Sequence, residues 1–425
     1  MKHHKLSFVF AGLLFVLLLA SCTTNQPAQT PTPEIKILKI GVLGPFTGPS
    51  AATGTQIKNA VTMAFDDIDY TIGDYQIELV WIDSKSDPEI ATQAYEEAIK
   101  NQGVQVGIMN WHSSVAVAAM EVTARNKIPH FFAMGASSAV NQKFHASPEF
   151  YGYWNFKGWP GVEQITSTYV QVAEDAITAG VLQVDEKLAA IYGEDTDWGR
   201  GFGNAIKPHL EASGWSIVSE QYLSLDATDF SAVVKDFEEK GVVLVAGTAT
   251  SDTFMAEFLK ELDQSDLNII TIADGLGWLS EWYSSAGSSS NYVLDQGPPG
   301  WKTNAAQAFA EDYETRWGIA PSPTSAGLTY DYANFFIQIA KATYDQYGEL
   351  NSETLYEFGK EKVQSGQFSY ADGVLMPEYK YTPETVPDPI VGIEYYVFPV
   401  LQYINGEGVV IWPEEWKEAD FQVKP

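Results

Sequence analysis

The stretch "IKILKIGVLGPFTGPSAATG", Ile35 to Gly54, decides how the rest of the chain is read. Its first nine residues are β-branched and aliphatic with few polar interruptions, and Gly44-Pro45 ends the run. That is the pattern of a strand buried on both faces. Immediately afterwards Ile57, Val61, Ala64, Phe65 and Ile68 recur at helical spacing. A buried strand, a turn and an amphipathic helix form the opening half of a βαβ unit.

The same alternation continues outward from this stretch. "YQIELVWID" (75–83) is the next strand, and "DPEIATQAYEEAIKN" (87–101) follows with Asp87 as an N-cap and Pro88 in the first turn. "VQVGIM" is a third strand, "SSVAVAAMEVTARN" (113–126) a third helix and "IPHFFAM" a fourth strand. The alternation restarts after "YGYWNFKGWPG", with a helix over 161–179, the strand "KLAAIYG", a helix over 198–213, the strand "WSIVSEQYL" and a helix over 230–240. "VVLVAG", a helix over 253–262 and "NIITIAD" complete this second series. Residues 284–300 read as loop, 303–317 and 325–347 as helices, and the last strands as a hairpin turning at Asn405-Gly406. The expected fold is α/β: two Rossmann-like doubly wound units in succession, which bind ligands beyond the carboxyl ends of their strands.

The amino terminus has a different character. Lys2 and Lys5 precede an apolar run from Phe8 to Ala20, shorter than the roughly 20 residues that span a bilayer. This reads as a secretory signal over 1–21. "LASC" resembles a bacterial lipobox, which implies cleavage before Cys22 and lipidation of its thiol. Cys22 is the one cysteine of the chain, so disulfides are excluded. Residues 22–35, polar and proline-rich, read as a disordered tether. The expectation is a body held outside the cytoplasm by acyl chains alone. Its formal charge of −30 argues against nucleic-acid binding, because phosphate backbones would repel it.

Catalysis finds little support. His112, His130, His145 and His209 lack metal-ligand spacing, and no GxSxG, Walker or HExxH pattern occurs. "GVLGPFTG" does not match a dinucleotide-binding GxGxxG. The expectation is a protein that is not an enzyme and carries no cofactor.

"KIGVLGPFTGPSAATG" (39–54) resembles the first strand and loop of periplasmic binding proteins of the branched-chain amino acid (Leu/Ile/Val) type, the extracytoplasmic receptors of ABC importers. "GIMNWHSSVAVAAMEVTARNKIPHFFAMGASS", "AAIYGEDTDWGRGFGNAIKPHLEASGWSIVSEQYL", "TDFSAVVKDFEEKGVVLVAG" and "FPVLQYINGEGVVIWPEE" carry the resemblance over most of the chain. It implies two lobes joined by three crossings and closing on a small molecule, with lobe 1 formed by 36–155 plus 290–388 and lobe 2 by 156–289 plus 389–425. It also implies an ABC permease and its ATPase subunit as partners. A ligand-sensing lipoprotein that signals to a membrane partner is the alternative.

Candidate ligand residues follow the strand ends. Ser113 and Ser114 open a helix, where amide donors and the macrodipole favour a carboxylate, and the resemblance implies a hydroxyl contact there. Gly135 to Ser137 match the family's second carboxylate-binding turn. Trp198 stands where relatives place a covering aromatic. Thr248 falls at a third binding turn, where relatives often have a bulkier residue. Asp274 matches the acid that pairs with an α-ammonium, and a carboxylate buried in a closing cleft calls for a cation. Trp111, Trp154, Trp159 and Trp278 lie near strand ends or crossings, and Trp159 is the candidate contact among them. The expected ligand is an amino acid, an amide or a related small polar molecule. Aromatic walls near Asp274 suit an amino acid or a quaternary ammonium group equally.

Overall fold

The computed structural model describes residues 35–251, 253–265, 267–278 and 282–424. The signal sequence, Cys22 and nearly all of the tether lie outside the described residues.

The opening stretch forms β1 (Lys36–Gly44), whose last five residues are buried, followed by the helix Ala51–Asp66. Four more strands join it: β2 (Thr71–Ile72), β3 (Tyr75–Asp83), β4 (Val106–Ile108) and β5 (His130–Phe131). They form a sheet in the order β2-β3-β1-β4-β5, parallel except for the short edge hairpin β2-β3. The helix after β3 starts as its sequence dictates, with the Asp87 carboxylate accepting from Ile90 N at 2.8 Å and Pro88 in the first turn.

The second sheet contains β6 (Leu188–Glu194), β7 (Ser216–Leu223), β8 (Leu244–Thr248), β9 (Ile270–Asp274), β10 (Leu294–Gln296), β11 (Val400–Ile404) and β12 (Glu407–Trp412). Its order is β12-β11-β10-β9-β8-β6-β7. From β10 to β7 neighbouring strands run parallel, and the β11-β12 hairpin adds two antiparallel strands. All residues of β8 and β9 are buried, as expected where helices cover both faces.

Between 304 and 358 the chain returns to the first sheet: the helix Thr329–Tyr347 packs on Ala51–Asp66. It then re-enters the second sheet at β11, giving three passages in all. The chain from Lys36 onward packs as one unit.

Three expectations need correction. Residues 284–300 are not simply loop, because β10 pairs there with β9 and β11. Its sequence, Leu-Asp-Gln, hides the strand because its two polar residues are buried. The boundary drawn at 290 therefore assigns to lobe 1 a strand that belongs to the second sheet. "IPHFFAM" forms a strand only at His130–Phe131, since Phe132 takes a positive φ of 58° that interrupts it. Among the described residues four helices also fall outside the sequence reading: Ser138–Ala146, Pro148–Tyr151, Trp282–Ala286 and Ser352–Phe358.

Candidate functional site

The ends of strands from both sheets converge on one cavity. It is lined by Trp111, Ser113, Met134, Ala136, Trp159, Trp198, Thr250 and Trp278, with about 300 Å³ of empty space among them, part of it open to solvent. The first sheet contributes the segments after β4 and β5. The second contributes those after β6, β8 and β9, and Trp159 comes from the first passage between them. This is where doubly wound sheets place ligands.

Trp278 is the hub. Its ring meets Trp111 edge-on at 5.5 Å, Trp159 edge-on at 5.6 Å and Trp198 at 5.8 Å with a 41° tilt. Local structure fixes each ring. The helix Asp197–Ala212 is capped by Thr196, whose Oγ1 accepts from the amides of Trp198 and Gly199. Trp198 Nε1 then donates to Thr248 Oγ1 at 2.8 Å, and that hydroxyl donates to the Asp274 carbonyl at 2.8 Å. Parallel bridges from His130 to Trp154 and from Ala133 to Lys157 lay the segment before Trp159 along the edge of the first sheet. Gly275, at φ +98°, lets Trp278 fold back: a Cβ there would sit 2.7 Å from the indole ring.

Behind the wall lie buried acids. Asp274 Oδ1 accepts from Tyr169 OH at 2.7 Å. Burial, and then the neighbouring charge of Asp295, hold the Asp274 carboxyl well above the usual range. Asp295 accepts from the amides of Gly275 and Gly277, both at 2.7 Å, and from Tyr403 OH at 2.8 Å. Burial pushes its carboxyl up against the pull of these bonds. Glu194 accepts from the Thr250 amide and hydroxyl and from Thr196 Oγ1, and burial raises it as well.

On the opposite side Ser50 Oγ donates to the Thr250 carbonyl at 2.5 Å and lies 3.2 Å from His112 Nε2. Burial lowers His112 to about 3, which leaves the imidazole neutral.

Of the residues singled out in the sequence, Ser113, Trp159 and Trp198 line the cavity. Ser114, beside Ser113, does not. Gly135 packs under the helix Ser113–Asn126, where a Cβ would lie 2.8 Å from that of Ala116. Ser137 caps the next helix, and its amide donates to Ser113 Oγ at 3.2 Å. Thr248 and Asp274 stand behind the wall and orient Trp198. Trp154 is core, stacked on His130 at 4.2 Å. Met134, Ala136 and Thr250 were not anticipated, and Trp111 and Trp278 were noted but not chosen. Among the described residues no group of three or more His, Cys, Asp or Glu side chains is placed to hold a metal ion. Nor is any described helix long and apolar enough to cross a membrane.

The family profile described as "Periplasmic binding protein" matches residues 37–373, most of the chain. The chain belongs to the periplasmic binding protein family. This is a family of extracytoplasmic solute-binding proteins rather than of enzymes. Leu/Ile/Val-binding protein homolog 6 of Brucella suis is 25% identical over 225 residues, covering 53% of this chain and 54% of the relative. The chain thus spans about half the length of the curated relatives it matches first. A branched-chain amino acid transporter substrate-binding protein of Streptococcus pneumoniae, solved with isoleucine, superimposes with a TM-score of 0.67 at 17% identity, over 88% of this chain and 98% of that one. A solute-binding protein of an ABC transporter from Rhodopseudomonas palustris, solved with 3,4-dihydroxybenzoic acid, gives 0.69 at 19% identity, over 88% and 95%. At these identities the shared property is the fold. The periplasmic binding protein fold accounts for the convergence of both sheets on one cavity.

Proposed function

We propose that this chain is the solute receptor of an ABC importer. It captures a small molecule in the tryptophan-lined cavity and delivers it to a permease driven by a separate ATPase subunit. The observation that supports this most directly is the cavity itself, whose wall combines strand ends of both sheets and the first passage between them. A solute held there contacts both halves at once and so favours the arrangement in which they are together. Little of the space in the cavity is wide enough to admit even a water molecule. A solute of amino-acid size therefore enters only when the walls part.

Cys22 is proposed as the lipid anchor, with residues 22–35 as the leash, residues 36–155 in one lobe and the β6–β9 series in the other. Ser113, Trp159 and Trp198 are the proposed direct contacts. Ser114, Gly135, Ser137, Thr248 and Asp274 support them.

A thermal-shift screen over amino acids, amides, aromatic acids and betaines tests the receptor reading. A solute present at 100 times its Kd is expected to stabilise the fold by about 2.7 kcal/mol. Small-angle scattering is expected to show compaction with that solute. A chain stabilised by none of them, with an unchanged scattering profile, refutes the proposal. Cys22→Ser is expected to move the protein from the membrane fraction to the soluble fraction, and continued dependence on detergent refutes the anchor.

A further inference from the structure

Resting on the receptor reading, we propose that the cavity selects a quaternary ammonium solute that also carries a carboxylate, a molecule of the betaine type. Four of its eight lining residues are tryptophan, and Met134 and Ala136 add apolar surface. Indole is the strongest of the side-chain partners for a cation lying against a ring.

The wall is poorly equipped for a primary ammonium. Its three N–H donors would each need an acceptor once stripped of water. The polar side chains of the wall are two hydroxyls, each already in one hydrogen bond: Ser113 Oγ accepts from the Ser137 amide, and Thr250 Oγ1 donates to Glu194. The Thr250 carbonyl accepts from Ser50. The carboxylates of Asp274 and Glu194 are bonded to hydroxyls and amides behind the wall. A quaternary ammonium has no N–H to satisfy. It spreads its charge over methyl groups, which fit against ring faces.

Charge points the same way. Asp295 is buried at the strand ends of the second sheet as a carboxylate held by two amides and the Tyr403 hydroxyl, so the field there favours a cation over an anionic aromatic acid. At the same time the indole N–H groups of Trp111, Trp159 and Trp278 are buried without a hydrogen-bond partner among the described residues. Indole N–H is a donor only, and burying it unpaired is costly. A carboxylate on the solute supplies the acceptor, beside the amides that open the helix Ser113–Asn126.

Calorimetric titration of the full chain with trimethylglycine, dimethylglycine, choline, leucine and benzoate tests this. Trimethylglycine is expected to bind, with leucine and benzoate each at least about 100-fold weaker. Loss of one methyl, to dimethylglycine, or of the carboxylate, to choline, is expected to cost about tenfold each. Trp111→Leu is expected to weaken trimethylglycine about tenfold and Trp111→Phe by less, because a phenyl ring keeps a π-face. Circular dichroism confirms that both variants fold. Equal losses in Phe and Leu variants would reduce the ring to packing and overturn the cation-binding role. Tight binding of leucine or benzoate without trimethylglycine would overturn the solute class and leave the receptor reading standing. Binding of no solute in this set or in the wider thermal-shift screen would overturn both.

Discussion

On the first-sheet side of the cavity, Asn110 Oδ1, Trp111 Nε1 and His112 Nδ1 are buried without a partner among the described residues. On the second-sheet side Trp278 Nε1 is likewise unpartnered, but Thr248, Glu194, Asp274 and Asp295 are joined to neighbouring hydroxyls and amides by short hydrogen bonds. An unmade buried hydrogen bond costs about 1–3 kcal/mol, whereas a satisfied network holds its members in place. The second-sheet side is therefore preorganised, with Trp198 fixed in advance, and the first-sheet side has the more to gain when a solute arrives. Binding proteins of this fold must open and close, and this division gives one half a rigid template and the other a reason to come to it.

Truncating Trp198 should show the largest effect. Trp198→Ala removes a ring from the preformed wall and leaves Thr248 Oγ1 without its donor. A loss of about 100-fold in affinity is expected, the scale of a central aromatic contact. Ser113→Ala, on the opposite side, is expected to cost no more than about tenfold. Equal losses measured by calorimetry would break the contrast between the two sides.

Asp274→Asn ranks next. The amide oxygen still accepts from Tyr169 OH, but the side chain can no longer give up a proton to meet a cationic solute. Affinity for a positively charged or zwitterionic solute should fall about tenfold, a coupling of about 1.4 kcal/mol across a partly desolvated gap. Unchanged affinity would remove Asp274 from ligand recognition.

The same variant reports on stability. Burial and the charge of Asp295 raise the Asp274 carboxyl in the folded chain. Above the ordinary carboxyl range the unfolded chain has released a proton that the folded chain retains, so stability falls as pH rises. For Asp295 the fall begins near pH 4 and continues to about 6, and for Asp274 it extends further. Exposed acids such as Asp236 and Glu96, lowered chiefly by a hydroxyl bond and a lysine bond respectively, act in the opposite sense. The contributions of these partly exposed acids are common to the wild type and the variant. Between pH 4.5 and 7.5 the wild type should therefore lose more stability than Asp274→Asn. Parallel thermal-unfolding curves would show that Asp274 is ionised in both states.

How much of this was visible in the sequence depends on how locally each feature is encoded. Parallel strands buried on both faces leave continuous apolar runs, so β1, β6, β8 and β9 were legible, while β3 showed itself by alternating buried and exposed residues. The helix at 113–126 was found to the residue. β10 was not, because Asp295 and Gln296 are buried through tertiary contacts that no local pattern announces. In the site, Ser113 was marked by the helix start that follows a strand and Trp198 by the family resemblance, and both line the cavity. Trp111 and Trp278 resemble Trp154 in sequence context, yet Trp154 stacks in the core on His130 while the other two line the cavity. Tyr169 is distant in sequence from the acid it binds, and nothing local links it to Asp274.

The smallest expected effect concerns the contact that joins the two sides. Ser50, in the loop after β1, donates to the Thr250 carbonyl after β8 and lies within hydrogen-bond distance of His112. His112 is buried and neutral, so the contact carries no net charge and is worth about 1 kcal/mol, the scale of an ordinary hydrogen bond. Ser50→Ala removes a bond that exists only while the two sides are together. It should therefore weaken solute affinity about fivefold through the closing equilibrium, chiefly by faster dissociation. It should also shift the ligand-free scattering profile towards a larger radius of gyration without altering the order of solute preference. A changed preference would place Ser50 in contact with the solute, and an unchanged dissociation rate would show that this bond is not part of what holds the preorganised side against its partner.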